Sequence, residues 1–226
     1  MELKVQTPQQ NLSTPSVAEV VSDIAQMLKR LQRNVVIGIS GRGGAGKSTV
    51  VEELRTRLYD WSVEPLVLHV DDFVFPKAVR DANPDRAKAR YYESYDFATL
   101  FDRVLRPMKN SASYVAEVPV LDRAEDRQVP RRIAMSGPHV VLIEGVQLFR
   151  RAAEDIFDRR IWIEVPFEVG LQRALTRQNH LGVPMTEEQK RSQYVDWSTA
   201  GYLLYEKLDA PRERAHIIID GSKPWY

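Results

Sequence analysis

The chain has 226 residues, 43% hydrophobic and 28% charged, a composition that suits one soluble domain with a sizeable core. A formal net charge of +1 excludes a field strong enough to hold nucleic acid or an anionic membrane surface, so any anion binding has to be local. The lack of cysteine excludes disulfides and thiolate metal sites.

Residues 1–15 read as a loose polar arm without the apolar core of a signal peptide. No window approaches the ~20 apolar residues of a membrane helix, and the expected location is the cytoplasm. Ser16 is placed to cap a helix whose apolar residues Val17, Val20, Val21, Ile24, Met27, Leu28 and Leu31 recur every three or four positions. The run V-V-I-G-I-S (35–40) is apolar throughout, as a strand buried on both faces would be. A Gly-rich loop and a helix to about Tyr59 follow. P-L-V-L-H-V (65–70) predicts a second strand with Asp71 and Asp72 at its tip. Residues 77–112 are polar and aromatic, with helix signals from about Phe97.

Two further strands are expected at 138–146 and 160–165. Pro166 opens a helix to about Gln178, and Thr186 with Gln189 forms a capping box for another to about Leu208. H-I-I-I-D (216–220) is the last strand. Strands alternating with helices predict an α/β domain over 16–226, with a parallel sheet of about five strands covered on both faces.

Between the first strand and its helix lies G-R-G-G-A-G-K-S-T, comprising Gly41, Arg42, Gly43, Gly44, Ala45, Gly46, Lys47, Ser48 and Thr49. This is G-x-x-x-x-G-K-[ST] in its required strand–loop–helix context, a nucleotide phosphate loop. The glycines let consecutive backbone N–H groups turn onto a phosphate chain, Lys47 neutralises the β and γ oxygens, and the helix N-terminus adds its dipole. Ser48 is the expected Mg²⁺ ligand, with ATP as the nucleotide. The base-reading N-K-x-D of switch GTPases and the L-S-G-G-Q of transport ATPases are both absent, which leaves chiefly small-molecule and nucleotide kinases, or an ATP-binding regulator.

In an open parallel sheet, ligands sit beyond the carboxyl ends of the strands, so Asp71 and Asp72 share a rim with the phosphate loop. Phosphoryl transfer to a hydroxyl needs in-line placement, a metal to spread charge and a carboxylate to take the proton, which Asp71 can supply. Glu144, ending V-V-L-I-E-G, stands where a second carboxylate would hold Mg²⁺ directly or through water.

The ordered set of the phosphate loop, D-D-F (71–73), Y-D-F-A-T-L-F-D (95–102) and I-E-G-V-Q-L-F (143–149) resembles the uridine kinase and phosphoribulokinase group of P-loop kinases. The D-D-F-x-x-P and I-E-G-x-x-L-F segments are also similar to nicotinamide riboside kinases. The resemblance runs from about residue 20 to the C-terminus and implies a three-layer α/β/α fold with a small lid at about 178–192. It implies Asp71 as the base acting on a nucleoside 5′-hydroxyl and Asp96 as the acid that grips a ribose diol. Asp72 is assigned to support of the Phe73 loop or to a metal-bound water. Tyr95 or Phe73 would stack on a planar base, and Asp122 belongs to the acceptor loop. Arg173 and Arg177, four apart on one helix face, lead into the lid, where Arg177 would cover the transferring group.

The sequence departs from uridine kinases in two places. Leu121 replaces the tyrosine of a Tyr-Asp pair, Asp126 lies near where a pyrimidine-contacting histidine would be, and N-H-L-G (179–182) replaces the lid's Glu-Arg-Gly-Arg. The expectation is therefore an ATP- and Mg²⁺-dependent kinase acting on a hydroxyl of a small, nucleoside-like molecule. The alternatives are a nicotinamide riboside, pantothenate or sugar kinase of the same fold, or a non-catalytic ATP-binding regulator. Neither nucleic acid nor membrane is an expected partner, and a homo-oligomer is compatible with the sequence.

Overall fold

The computed structural model describes residues 14–176 and 185–225. Five parallel strands form the central sheet in the order β2-β5-β1-β6-β7. They are β1 (Val35–Gly41), β2 (Leu66–His69), β5 (Val140–Gly145), β6 (Arg159–Glu164) and β7 (Ile217–Asp220). A separate two-stranded hairpin, β3 (Ser113–Asp122) with β4 (Arg127–Ser136), was not expected from the sequence.

Successive residues of a strand point to opposite faces, and both faces here are buried. Val35, Ile37 and Ile39 pack on one side with Leu54 and Leu58 of α2 (Lys47–Asp60) and Ile24 of α1 (Val17–Leu31). Val36, Val141, Ile143 and Trp162 face the other side, against Phe73, Leu100, Phe149 and Tyr205. The capping box expected at Ser16 is formed with Glu19, and Gln32 closes α1 in a left-handed conformation.

Between β2 and β3 the chain runs through short helical pieces. These are α3 (Lys77–Arg80), α4 (Arg86–Lys88) continuing through the wider turn Ala89–Glu93, and Thr99–Leu105 continuing into α5 (Arg106–Lys109). Helices α6 (Phe167–Thr176), α7 (Glu187–Ser192) and α8 (Thr199–Asp209) complete the chain's course to β7, with Gln193–Ser198 joining α7 to α8 in one helical stretch. Thr186 and Gln189 form the expected capping box of α7. No described helix is long and apolar enough to cross a membrane.

One expectation is corrected. Strand β2 stops at His69, and Asp71 and Asp72 sit within a tight helical turn, Val70–Phe73, rather than at the strand tip. Of the arm expected over 1–15, Thr14 and Pro15 are described: Thr14 Oγ1 donates to the Ile218 carbonyl at 3.2 Å, and Trp225 Nε1 donates to that of Pro15 at 2.9 Å. Residues 1–13 lie outside the described residues, as do Arg177, His180 and the rest of 177–184 at the start of the expected lid.

The parallel register explains why the functional segments meet. Ile39 of β1 pairs with Glu144 of β5, and His69 of β2 pairs with the same Glu144. The phosphate loop, the acid turn and Glu144 therefore leave the sheet at one level, on one rim.

Candidate active site

A cleft of about 760 Å³ opens at this rim. It is lined by the phosphate loop from Arg42 to Thr49 except Ala45, by His69, Asp71, Asp72 and Glu144, and by Arg90, Tyr95, Arg123 and Arg173. Ala45 is fully buried beneath the loop. Gly44 and Gly46 carry φ of +74° and +97°, a region where L side chains are strained. A Cβ at Gly44 would also strike the Gly170 carbonyl oxygen of α6. The loop can thus turn its amides inward only with glycine at these points.

Lys47 Nζ donates to the carbonyls of Arg42 at 3.0 Å and Gly41 at 3.3 Å, which folds the lysine back across the loop. Arg173 Nη1 donates to the Gly44 carbonyl at 3.2 Å, and the Tyr194 hydroxyl donates to that of Gly43 at 3.0 Å. The Arg42 guanidinium lies 4.5 Å from the centre of the Tyr202 ring. Helix α6, the segment Gln193–Ser198 and helix α8 therefore each contact the phosphate loop.

Glu144 is the hub beneath the loop. Its Oε1 accepts from Ser48 Oγ at 3.3 Å and lies 3.0 Å from His69 Nδ1. Burial acts to raise the Glu144 carboxyl, but the His69 hydrogen bond, the Lys47 charge and Ser48 together hold it below its ordinary value. The hydrogen bond to Glu144 raises His69 in turn, against burial and with help from the charges of Glu144, Asp72 and Asp71. The Ser48–Glu144 pair offers hard oxygen donors, as Mg²⁺ prefers. Among the described residues no group of three or more His, Cys, Asp or Glu is placed to hold a metal ion by itself.

The acid turn is gripped by the hairpin. Arg131 of β4 donates from Nη1 to Asp72 Oδ2 at 2.7 Å. Arg123, in the hairpin turn, donates from Nη2 to the Asp71 backbone carbonyl at 3.0 Å and stands 4.0 Å from its Oδ2. The Asp71 side chain remains 50% exposed, so its carboxylate is open to the cleft.

Several residues expected on the acceptor side do not reach the cleft wall. Phe73 is 1% exposed and packed in the core, because the helical turn rotates it inward. Asp96 Oδ1 accepts from the Thr99 amide at 2.9 Å, capping the helical segment that follows. Asp122 Oδ1 likewise accepts from Ala124 and Glu125 to shape the hairpin turn. Tyr95 does line the cleft, but its ring is 4% exposed and covered by the Arg90 guanidinium at 4.8 Å. Burial pushes its hydroxyl up to about 12. Arg90, Arg123, Tyr194 and Tyr202 line the cleft without having been singled out as ligand contacts. Of these, Tyr202 lies in an aromatic-rich helix with Trp197 and Tyr205 that reads from sequence as core or lid packing, and no spacing marks the others.

Residues 36–181 match the phosphoribulokinase / uridine kinase family. The chain belongs to that family. A uridine kinase of Borreliella burgdorferi is 25% identical over 188 residues, covering 81% of this chain and 85% of that protein. A pantothenate kinase of Streptococcus mutans is 33% identical over 150 residues, covering 59% of this chain and 47% of that one. In fold, the chain superposes with a TM-score of 0.70 on a protein proposed to be a fructose transport system kinase from Silicibacter, at 22% identity over 91% of this chain and 99% of that one. The chain is thus a P-loop small-molecule kinase, a phosphotransferase that uses ATP and takes a hydroxyl group as acceptor.

Proposed function

We propose that the chain transfers the γ-phosphoryl group of Mg²⁺-bound ATP to a small molecule whose hydroxyl lies against Asp71. The observation that carries this reading is the single rim on which Lys47, Ser48, Glu144 and a half-exposed Asp71 face one cleft. The Asp71 carboxylate takes the hydroxyl proton as the acceptor oxygen bonds to the γ-phosphorus. The bond from that phosphorus to the β–γ bridging oxygen breaks, and its electron pair leaves with ADP. Lys47 and Arg173, both lining the cleft, hold the phosphate chain in line. Ser48 and Glu144 would hold Mg²⁺, which when bound draws charge from the phosphate oxygens. Tyr95 and Arg90 form the wall against which the acceptor rests.

A nucleoside is the acceptor suggested by the uridine kinase relatives and by the sequence motifs. The pantothenate kinase relative favours a second reading, a hydroxy acid. ADP release from ATP–Mg²⁺, measured with nucleosides, nicotinamide riboside, pantothenate, glycerate and sugars, tests the proposal. Strong stimulation by one acceptor supports it. ATP binding without stimulation by any of them would instead favour an ATP-binding regulator.

A further inference from the structure

The acceptor end of the cleft carries more positive charge than a neutral alcohol needs. Its acids are Asp71 and Asp72, and Asp72 is already paired with Arg131 at 2.7 Å. Asp71 has Arg123 at 4.0 Å. Arg90 is left over: among the described residues it forms no ion pair, and its partners are the Tyr95 hydroxyl at 2.6 Å and the Tyr95 ring. Arg80, whose charge also acts on Tyr95, has a buried Nε with no hydrogen-bond partner among the described residues. Burial dominates the Tyr95 hydroxyl, and the charges of Arg90 and Arg80 oppose it, so both arginines act on the same spot.

Arg90 and Arg123 approach from different elements, one from the helical stretch after α4 and one from the hairpin turn, and both line the cleft together with Asp71. A guanidinium that bound substrate covers loses hydration, and only an anionic partner returns it in full. With a neutral acceptor, Arg90 would be left facing a desolvated site without a counter-charge.

Resting on the kinase reading, we propose that the acceptor is an anionic hydroxy compound whose carboxylate or phosphate group is held by Arg90 and Arg123 while its hydroxyl faces Asp71. The anion anchors the molecule at the outer end of the cleft, and the hydroxyl is presented inward to the γ-phosphorus held by the loop. Arg123 bridges the two ends, since it also fixes the Asp71 backbone. Specificity then follows from charge: a neutral analogue of the same shape leaves the arginine pair unmatched.

The test uses acceptor pairs that differ in charge: pantothenate with pantothenol, glycerate with glycerol, and fructose 6-phosphate with fructose, with uridine as a neutral nucleoside. Each is measured for ADP release and, separately, for calorimetric binding to protein loaded with a non-hydrolysable ATP analogue and Mg²⁺. The expected result is that the charged member of at least one pair binds at least tenfold better than its neutral partner. The carboxylate and phosphate pairs tell which anion the site takes. Arg123→Gln should weaken that charged probe roughly 10- to 100-fold, with Arg123→Lys recovering part of the loss, and Arg90→Gln should act in the same direction. If Arg123 only braced the Asp71 turn, its loss would slow every acceptor alike rather than split them by charge. Binding of a charged probe that depends on Arg123, with no ADP release from any acceptor, would sink the kinase reading and leave the anion site standing. The inference is overturned if uridine or another neutral acceptor is preferred, or if no charged probe outbinds its neutral partner.

Discussion

Asp158 pins the start of β1, the strand that carries the phosphate loop at its other end. Its Oδ2 accepts from the Val36 amide at 2.9 Å and from Arg33 Nη1 at 3.0 Å, while Oδ1 accepts from Arg33 Nη2 at 2.8 Å. Lys109 Nζ stands 3.5 Å from the same carboxylate. Replacing Asp158 by alanine strips all of these at once. Breaking a buried ion pair costs about 3–5 kcal/mol. Arg33 is 31% exposed and regains water, so its share lies at the low end. The Val36 amide, in a residue with no exposed surface, does not regain water and is left buried and unpaired, at about 1–3 kcal/mol. A total of about 4 kcal/mol follows, the sum of the two low ends, which for a chain of this size lowers Tm by roughly 8–16 °C.

The pH dependence has a definite sign. Burial would raise the Asp158 carboxyl, but Arg33, the Val36 amide and Lys109 outweigh it and hold the folded-state value below the ordinary one. The stabilisation is therefore fully present above the unfolded pKa of about 4 and is lost as pH falls through the lower folded value. Thermal melts followed by circular dichroism should show the full gap between wild type and Asp158→Ala at pH 7 and a shrinking gap below pH ~4. A variant melting within about 2 °C of wild type at pH 7, or a gap that widens on acidification, would refute this reasoning.

Other predictions concern the cleft. Lys47→Ala should weaken a fluorescent ATP analogue by about 10-fold or more, since it removes a full positive charge from the loop that cradles the phosphates. Gly44→Ala should combine about 1–2 kcal/mol of left-handed strain with the collision at Gly170, and so lower both Tm and nucleotide affinity. Unchanged binding there would mean that the loop can open away from α6. Glu144→Gln should raise the Mg²⁺ concentration needed for half-maximal rate by ~10-fold or more, and histidine proton resonances should show His69 titrating lower once the Glu144 hydrogen bond loses its charge. A His69 titration that ignores the change would separate the two groups functionally.

The sheet and the phosphate loop were legible because buried parallel strands leave unbroken apolar runs and the loop has a fixed spacing. The hairpin was not, for a physical reason. Each of its strands contains a proline, and Pro119 faces Pro130 across the pair. Proline normally argues against a strand, since it cannot donate to the ladder. Two facing prolines are tolerated where a residue pair exchanges no hydrogen bonds. Missing the hairpin concealed Arg123 and Arg131 as partners of the tandem aspartates, because nothing in their spacing links positions some 50 to 60 residues apart. Asp71, Asp72 and Glu144 were legible as acids following apolar runs. The inward turn of Phe73 was not, because one tight helical turn after β2 reverses which side chain meets the core. Asp96 and Asp122 show the same ambiguity: a short acid beside a loop caps backbone amides as readily as it binds a diol.

The most direct measurement is the rate of the chemical step in a single turnover, with ATP–Mg²⁺ prebound and the stimulating acceptor saturating, for wild type and Asp71→Asn. Asparagine keeps the shape of the side chain and removes its ability to take a proton. The account predicts product formation slowed ~10²-fold or more with ATP affinity little changed. An Asp71→Asn protein that phosphorylates the acceptor at the wild-type rate would contradict it.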